Sequence, residues 1–122
     1  MYEKIEQLVE NAFKSDIPDN TAAFSFNIYE DADDMWSVEL IAAASFDADD
    51  EDWACDEISD LGTREEPVSW HEKTDWESVL SAVVTAVKEY LDKGKYSEKM
   101  KEYKGVGVGF VDGDIELVYI RD

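Results

Sequence analysis

Three kinds of side chain in this sequence could take part in chemistry: a histidine, a cysteine and many carboxylates. General acid–base catalysis would use His71 or a pair of carboxylates, and covalent catalysis would use Cys55. No second histidine lies near His71 to complete a zinc site, and the acids around Cys55 disfavour its thiolate. Carboxylate pairs are so numerous that none indicates a catalytic site. We therefore predict that the chain is not an enzyme and binds no cofactor.

Two further patterns resemble ligand-binding loops but depart from them. Gly105 to Gly109 alternates glycine with valine and enters a strand, so it indicates close backbone packing and not a phosphate cradle at a helix N-terminus. A calcium-binding EF-hand needs glycine at the sixth loop position and glutamate at the twelfth. Counted from Asp47, these positions hold Asp52 and Ile58. We therefore predict no metal ligands.

The balance of charge is the most informative feature of the composition. The chain has 31 acidic and 11 basic residues, which give a formal net charge of −20. Residues 1–61 carry 18 of the acids with only Lys4 and Lys14 as bases, whereas residues 62–122 carry 13 acids and nine bases. Such a surface repels nucleic acid and anionic lipid and attracts basic proteins. We expect a basic protein partner, with no direct binding of nucleic acid or membrane.

Length and apolar content indicate one folded unit. A chain of 122 residues with 44% hydrophobic residues can bury one core but not two, so we predict a single domain over residues 1–122. It contains no apolar stretch of membrane-spanning length, and its start lacks the features of a signal peptide. Because Cys55 cannot form an internal disulfide, a reducing compartment fits best. We therefore expect a cytoplasmic location.

The first half of the sequence predicts a helix followed by a hairpin. Apolar residues recur at helical spacing between Ile5 and Phe13, which predicts a helix over residues 2–14 that ends before Pro18. Residues 21–30 and 35–46 alternate as strands do, and the acidic residues 31–34 form the turn between them. Apolar residues such as Ile41 on the second face of the later strand suggest that this strand is covered on both faces.

The second half repeats this order after a long acidic connection. Residues 47–70 lack periodicity, apart from a helical turn around Trp53 to Leu61. Thr74 and Glu77 have the spacing of a capping box, and the helix that they begin runs to Lys93 and Gly94. Two strands at residues 106–111 and 115–120 then flank a tight turn at residues 112–113. A polar helical turn near residues 97–103 precedes them.

These elements predict an α+β fold. Its sheet is antiparallel and four-stranded, built from two β-hairpins, with the two main helices packed on one face and the element order αββ-αββ. Each amphipathic helix needs an apolar surface against which to bury its stripe, and one face of the sheet provides it.

The predicted partner-binding residues are the acids of the first turn and of the long connection, with a tryptophan as a candidate interface anchor. Carboxylates steer and pair with basic groups, and tryptophan is common at interface centres. The alternative for this tryptophan is that it packs into the core. The predicted site consists of Asp31, Asp33, Asp34, Asp49, Asp50, Glu51, Asp52, Trp53, Asp56 and Glu57.

The chain resembles the small acidic immunity proteins that bacteria encode beside polymorphic or contact-dependent toxins. The resemblance lies in its small size, its acidity, its predicted α+β fold and three local segments. The segments are Trp53-Ala54-Cys55-Asp56-Glu57, Gly62-Thr63-Arg64-Glu65-Glu66-Pro67 and Gly105-Val106-Gly107-Val108-Gly109-Phe110-Val111-Asp112-Gly113-Asp114. The resemblance implies that the protein binds and neutralises a cognate toxin. The acidic charge favours a nuclease as that toxin, because a nuclease needs a basic cleft for phosphates.

Other functions remain open from the sequence. A DNA mimic that blocks a nucleic-acid-binding protein would use the same acidic surface, and a divalent-cation-binding module would use the same carboxylates. Within the immunity hypothesis, the inhibitor could plug the toxin's active site or bind beside it.

Overall fold

The structure is a computed structural model, and it describes residues 1–121. It begins with helix α1 at Tyr2–Ala12, in which Ile5, Leu8 and Val9 are buried. The helix is therefore amphipathic, as predicted, and ends two residues before the predicted boundary. None of the described helices is long and apolar enough to cross a bilayer.

One mixed sheet forms the centre of the fold. Its strands follow the order β3-β2-β1-β5-β6, and β4 pairs with β2 on the same side as β3. Strand β1 is Ala23–Glu30 and β2 is Met35–Ala43. Strand β5 is Gly105–Phe110 and β6 is Ile115–Ile120. The two hairpins β1–β2 and β5–β6 are antiparallel, as predicted.

The predicted all-antiparallel, four-stranded sheet is wrong in two respects. Strands β1 and β5 are parallel, with a register from Ala23↔Gly105 to Ile28↔Phe110. The predicted long connection also contains two strands, β3 at Glu57–Ser59 and β4 at Val68–His71. Because β4 runs antiparallel to β2, it delivers the chain to the end of the sheet where β1 finishes. The following helix brings the chain back, so β5 must start beside the start of β1.

The outer edge of β2 is closed along its length. Strand β4 pairs with the first part of β2 and β3 with the last part. Between them, the Thr63 hydroxyl accepts a hydrogen bond from the Leu40 N–H at 2.9 Å and lies 3.0 Å from the Leu40 carbonyl oxygen. A buried side chain therefore satisfies the backbone groups that neither strand reaches.

The helix that returns the chain is α2 at Trp76–Lys93, and it packs with α1 on one face of the sheet. Its N-cap is Asp75, whose carboxylate accepts a hydrogen bond from the Ser78 N–H at 2.7 Å. The predicted capping residue, Thr74, is therefore wrong by one position, because aspartate is an equally good acceptor. The helix ends at Lys93 and Gly94 as predicted. A short helix α3, Ser97–Met100, leads into β5.

The second face of the sheet has its own small core. Residues Ile41 and Ala43 of β2 are fully buried there, which confirms that β2 is covered on both faces. A 3-10 helix at Glu51–Cys55 lies over this face and inserts Trp53. A Cβ atom on Gly107 would lie 3.1 Å from the Trp53 ring, so glycine makes room for the indole. The glycine alternation of β5 thus serves close packing, as predicted.

Candidate functional site

The parallel pairing of β1 and β5 brings two acidic turns to the same end of the sheet, which we call the turn end. The β1–β2 turn follows β1, the β5–β6 turn follows β5, and the Val111 N–H donates to the Ile28 carbonyl between them. The strand β4 also finishes here, where the Glu72 N–H donates to the Asp34 carbonyl. The exposed acids of these segments and of the α2 N-terminus are Glu30, Asp31, Asp33, Asp34, Glu72, Asp75, Glu77, Asp112 and Asp114.

Three of the predicted site residues lie in the β1–β2 turn, and all three are exposed. Asp33 and Asp34 have φ angles of 61° and 59°. Positive φ at two successive positions is required in a type I′ turn, and aspartate tolerates it better than most residues. The Asp31 carboxylate accepts a hydrogen bond from the Ser37 hydroxyl at 3.0 Å. The turn conformation therefore accounts in part for the presence of aspartate at these positions, and the charged groups still face solvent.

The acidic connection reaches the turn end through Glu51. Its carboxylate accepts a hydrogen bond from the Ile115 N–H at 3.1 Å, at the start of β6. Asp52 lines a cavity of about 180 Å³ together with Glu51 and Gly113. Asp50 caps the 3-10 helix by accepting from the Asp52 N–H at 3.0 Å, and Asp49 is exposed. The two predicted acidic segments thus both border the β5–β6 turn.

Glu57 and Asp56 lie at the start of β3, away from this arrangement. The Glu57 carboxylate forms an ion pair with Arg64 at 2.6 Å. Arg64 also pairs with Glu39, so one cation is shared by two carboxylates and the group of three keeps a net charge of −1. Glu57 is exposed, and its role in partner binding stays a prediction. Asp56 is exposed, and its carbonyl accepts from the Ala44 N–H.

Trp53 is not available as an interface anchor in this structure. Its side chain is 4% exposed and packs edge-on against Phe46, with ring centroids 5.1 Å apart. The absence of a side chain at Gly107 leaves room for the indole, and Phe46, Ile115 and Leu117 pack in the same cluster. The alternative interpretation of Trp53, as a core residue, is correct.

The exposed tryptophan is Trp76, the first residue of α2, which is not among the predicted site residues. Its side chain is 52% exposed, and its ring lies edge-on to Phe110 with centroids 6.1 Å apart. A cleft of about 510 Å³ opens beside it, lined by Glu30, Trp76, Leu80, Phe110, Asp112, Gly113 and Asp114. Its position as the first residue of α2, one turn before the first buried residue Val79, is the signal that could have indicated exposure.

A buried carboxylate lies between the strands on the second face of the sheet. Glu39 accepts hydrogen bonds from the Tyr29 hydroxyl at 2.7 Å, from the Asn27 amide at 3.3 Å and from Arg64 at 2.9 and 3.1 Å. Burial raises the pKa of the Glu39 carboxyl, but these hydrogen bonds outweigh burial and hold the pKa below its ordinary value. The group therefore remains charged and engaged within the fold.

The two residues considered for catalysis besides the carboxylates lie in different elements. His71 ends β4 and Cys55 ends the 3-10 helix, and both are exposed. Within residues 1–121, no group of three or more histidines, cysteines and carboxylates is arranged to hold a metal ion. No protein-family model, curated protein or solved structure matches this chain. The exposed acids that converge at the turn end therefore form the candidate functional surface.

Proposed function

We propose that this protein is an immunity protein, which binds a basic toxin domain through the turn end and neutralises it. The observation that carries the proposal is the convergence of the acidic turns there. Strands β1 and β5 end side by side, so acids that are about 80 residues apart in sequence share one surface. A nuclease is the toxin that this surface suits best, because carboxylates can occupy a cleft built for phosphates.

The distribution of basic residues supports the same surface. Six of the 11 basic residues flank the C-terminus of α2, the helix α3 and the opposite ends of β5 and β6. They are Lys93, Lys95, Lys99, Lys101, Lys104 and Arg121. The protein therefore has a strongly acidic end and a more basic one, which would orient it as it approaches a basic partner.

The experiment is affinity capture from the source organism at about 50 mM and about 500 mM salt, since charge-driven association weakens steeply with ionic strength. Captured proteins are identified by mass spectrometry, expressed and tested for inhibition. The test variant is Asp33→Asn with Asp34→Asn, because asparagine keeps the turn conformation and removes both charges. The control is Glu65→Gln with Glu66→Gln, which removes the same charge from an exposed loop beside β2.

Capture of a basic toxin domain whose activity this protein inhibits would support the proposal, provided that the turn variant binds more slowly than the control. Capture of DNA-binding proteins without toxin activity would favour the DNA-mimic function. Equal binding by the turn variant and the control would exclude the turn end as the main contact.

A further inference from the structure

We infer that the cleft between Trp76 and Phe110 receives an arginine side chain from the basic partner, and that this contact is the anchor of the interface. The inference rests on the proposed function for the identity of the partner. It assigns to Trp76 the part that the sequence suggested for Trp53, which is buried.

The apolar side of the cleft is preformed. Trp76 and Phe110 lie edge to face at an interplanar angle of 87°, and Phe110 is held from behind by Trp36 at a centroid distance of 6.1 Å. Leu80 continues this wall one turn further along α2. Trp76 is 52% exposed, so a partner that covers it removes apolar surface from water. A rigid aromatic side chain also loses little conformational entropy on binding.

The polar side of the cleft is negative. Glu30 comes from the end of β1, and Asp112 and Asp114 come from the β5–β6 turn. None of these three carboxylates forms an ion pair within the part of the chain that the structure describes. No basic side chain lines the cleft. A cation from another molecule would therefore meet unpaired charges.

Arginine matches both sides at once. Its aliphatic stem can cover Leu80 and Phe110, while its planar guanidinium can stack on the Trp76 indole and donate paired hydrogen bonds to a carboxylate. Lysine offers a point charge without the planar fork, so it uses less of this geometry. None of the three cleft acids belongs to the site predicted from the sequence. Trp76 is the one aromatic residue among the exposed large hydrophobic residues of positions 1–121.

The test is an NMR titration of the full chain with a capped Gly-Arg-Gly peptide. The control peptide carries citrulline, which has nearly the shape of arginine but no charge. We expect the arginine peptide to shift the Trp76 indole N–H, identified from the spectrum of Trp76→Phe, and the Gly113 amide. The citrulline peptide should leave both unchanged. The concentration extends to about 10 mM, at which a site with a Kd near 1 mM is mostly filled.

Two variants make the assignment specific. Trp76→Ala should abolish the shift at Gly113, and Asp112→Asn with Asp114→Asn should abolish the shift of the Trp76 indole. Glu65→Gln with Glu66→Gln, which removes equal charge outside the cleft, should leave the titration unchanged. Equal shifts with citrulline, no shift at the highest concentration, or shifts centred on residues 47–52 would each overturn the inference.

The inference and the proposed function fail separately. If arginine binds in the cleft but no toxin is captured, the proposed function fails and the site stands. If a toxin is captured, Trp76→Ala should weaken its binding by roughly tenfold or more, as loss of a tryptophan hot spot does. Unchanged affinity of this variant would overturn the inference alone.

Discussion

The guanidinium of Arg64 binds the Glu39 carboxylate through two hydrogen bonds, Nε to Oε2 at 2.9 Å and Nη2 to Oε1 at 3.1 Å. The two side chains differ in their surroundings, because Glu39 is 2% exposed and Arg64 is 48% exposed. The anion is thus buried in the sheet, and the cation reaches it from the solvent side. Removal of Arg64 therefore leaves a buried charge without its cation, whereas removal of Glu39 leaves a cation that water can solvate.

Arg64→Met should destabilise the protein by about 2–3 kcal/mol, because the buried carboxylate loses its cation while Tyr29 and Asn27 still donate to it. This loss of stability is smaller than the loss expected when a fully buried ion pair is broken, because water screens the exposed part of Arg64. Urea unfolding of both proteins measures the difference. Lys73→Met, at an exposed position, serves as the control for loss of a charge. A change below about 0.5 kcal/mol would mean that Arg64 contributes no more than a surface ion pair.

Acidification should remove stability through Glu39. Its folded-state pKa is lowered from the ordinary value of 4.5, so its contribution is complete above pH 4.5 and is lost as the pH falls through the folded-state pKa. Relief of repulsion among the many exposed acids acts in the opposite direction. The comparison with Glu39→Gln isolates the first effect. Below pH 4.5, the midpoint of thermal unfolding should fall more steeply in the parent protein, and parallel curves would contradict this.

Alkaline pH should remove stability through Tyr29. Burial, together with the hydrogen bond to the Glu39 carboxylate, raises the pKa of Tyr29 from 10.0 to about 12. A raised pKa means that the contribution is complete below pH 10 and is lost as the pH rises towards 12. Ultraviolet titration should show a late tyrosinate transition that is reduced in Tyr29→Phe. Tyr90, whose pKa is raised to about 12 mainly by burial, should contribute to the late titration that remains, together with Tyr2 and Tyr103, whose pKa values burial also raises.

Gly109→Ala should destabilise the β5–β6 hairpin. A Cβ atom there would lie 2.5 Å from the Asp114 carbonyl oxygen, and a backbone atom cannot move aside as a flexible side chain can. Overpacking of this kind costs about 1–3 kcal/mol. Gly113→Ala is the control in the same hairpin, because its nearest neighbour would be the Phe110 Cβ at 3.5 Å. Equal unfolding midpoints for the two variants would show that the hairpin relaxes freely.

Asp75→Ala should lower the thermal midpoint, whereas Thr74→Ala should leave it nearly unchanged. The backbone N–H of Ser78 donates to the Asp75 carboxylate, and this hydrogen bond lowers the pKa of Asp75. The alanine variant leaves that donor without its capping acceptor. Circular dichroism during heating measures both variants. A larger effect at Thr74 would restore the capping box expected from the sequence.

Local periodicity was sufficient to predict the helices α1 and α2 and the two hairpins. Their apolar residues recur over several turns or alternate over several positions, so each element shows its own buried face. Strand β4 has only four residues, which is too short for alternation to distinguish it from a loop. The parallel pairing of β1 and β5 depends on that strand and on the return of α2. The topology therefore could not be read from any one segment.

Of the exposed acids at the turn end, the sequence pointed to Asp31, Asp33 and Asp34, and it did not point to the exposed Trp76. Acids in turns face solvent because their side chains are charged, and this can be predicted from residue type. Residue type does not distinguish Trp53 from Trp76. Their difference comes from neighbours that are distant in sequence. Gly107 opens a space for Trp53, while Trp76 lies where α2 begins, beside the end of β5. The engagement of Glu57 likewise depends on Arg64, whose position is set by the loop between β3 and β4.

The interior position of β5 has a consequence for synthesis on the ribosome. Strand β5 lies between β1 and β6 in the sheet, although Gly105 to Phe110 are translated after β1 to β4 and both main helices. Until β5 emerges, a nascent chain presents one open edge of β1 beside the unfinished core. Such an edge pairs readily with other strands, so this interval is when the protein most needs the protection of a chaperone.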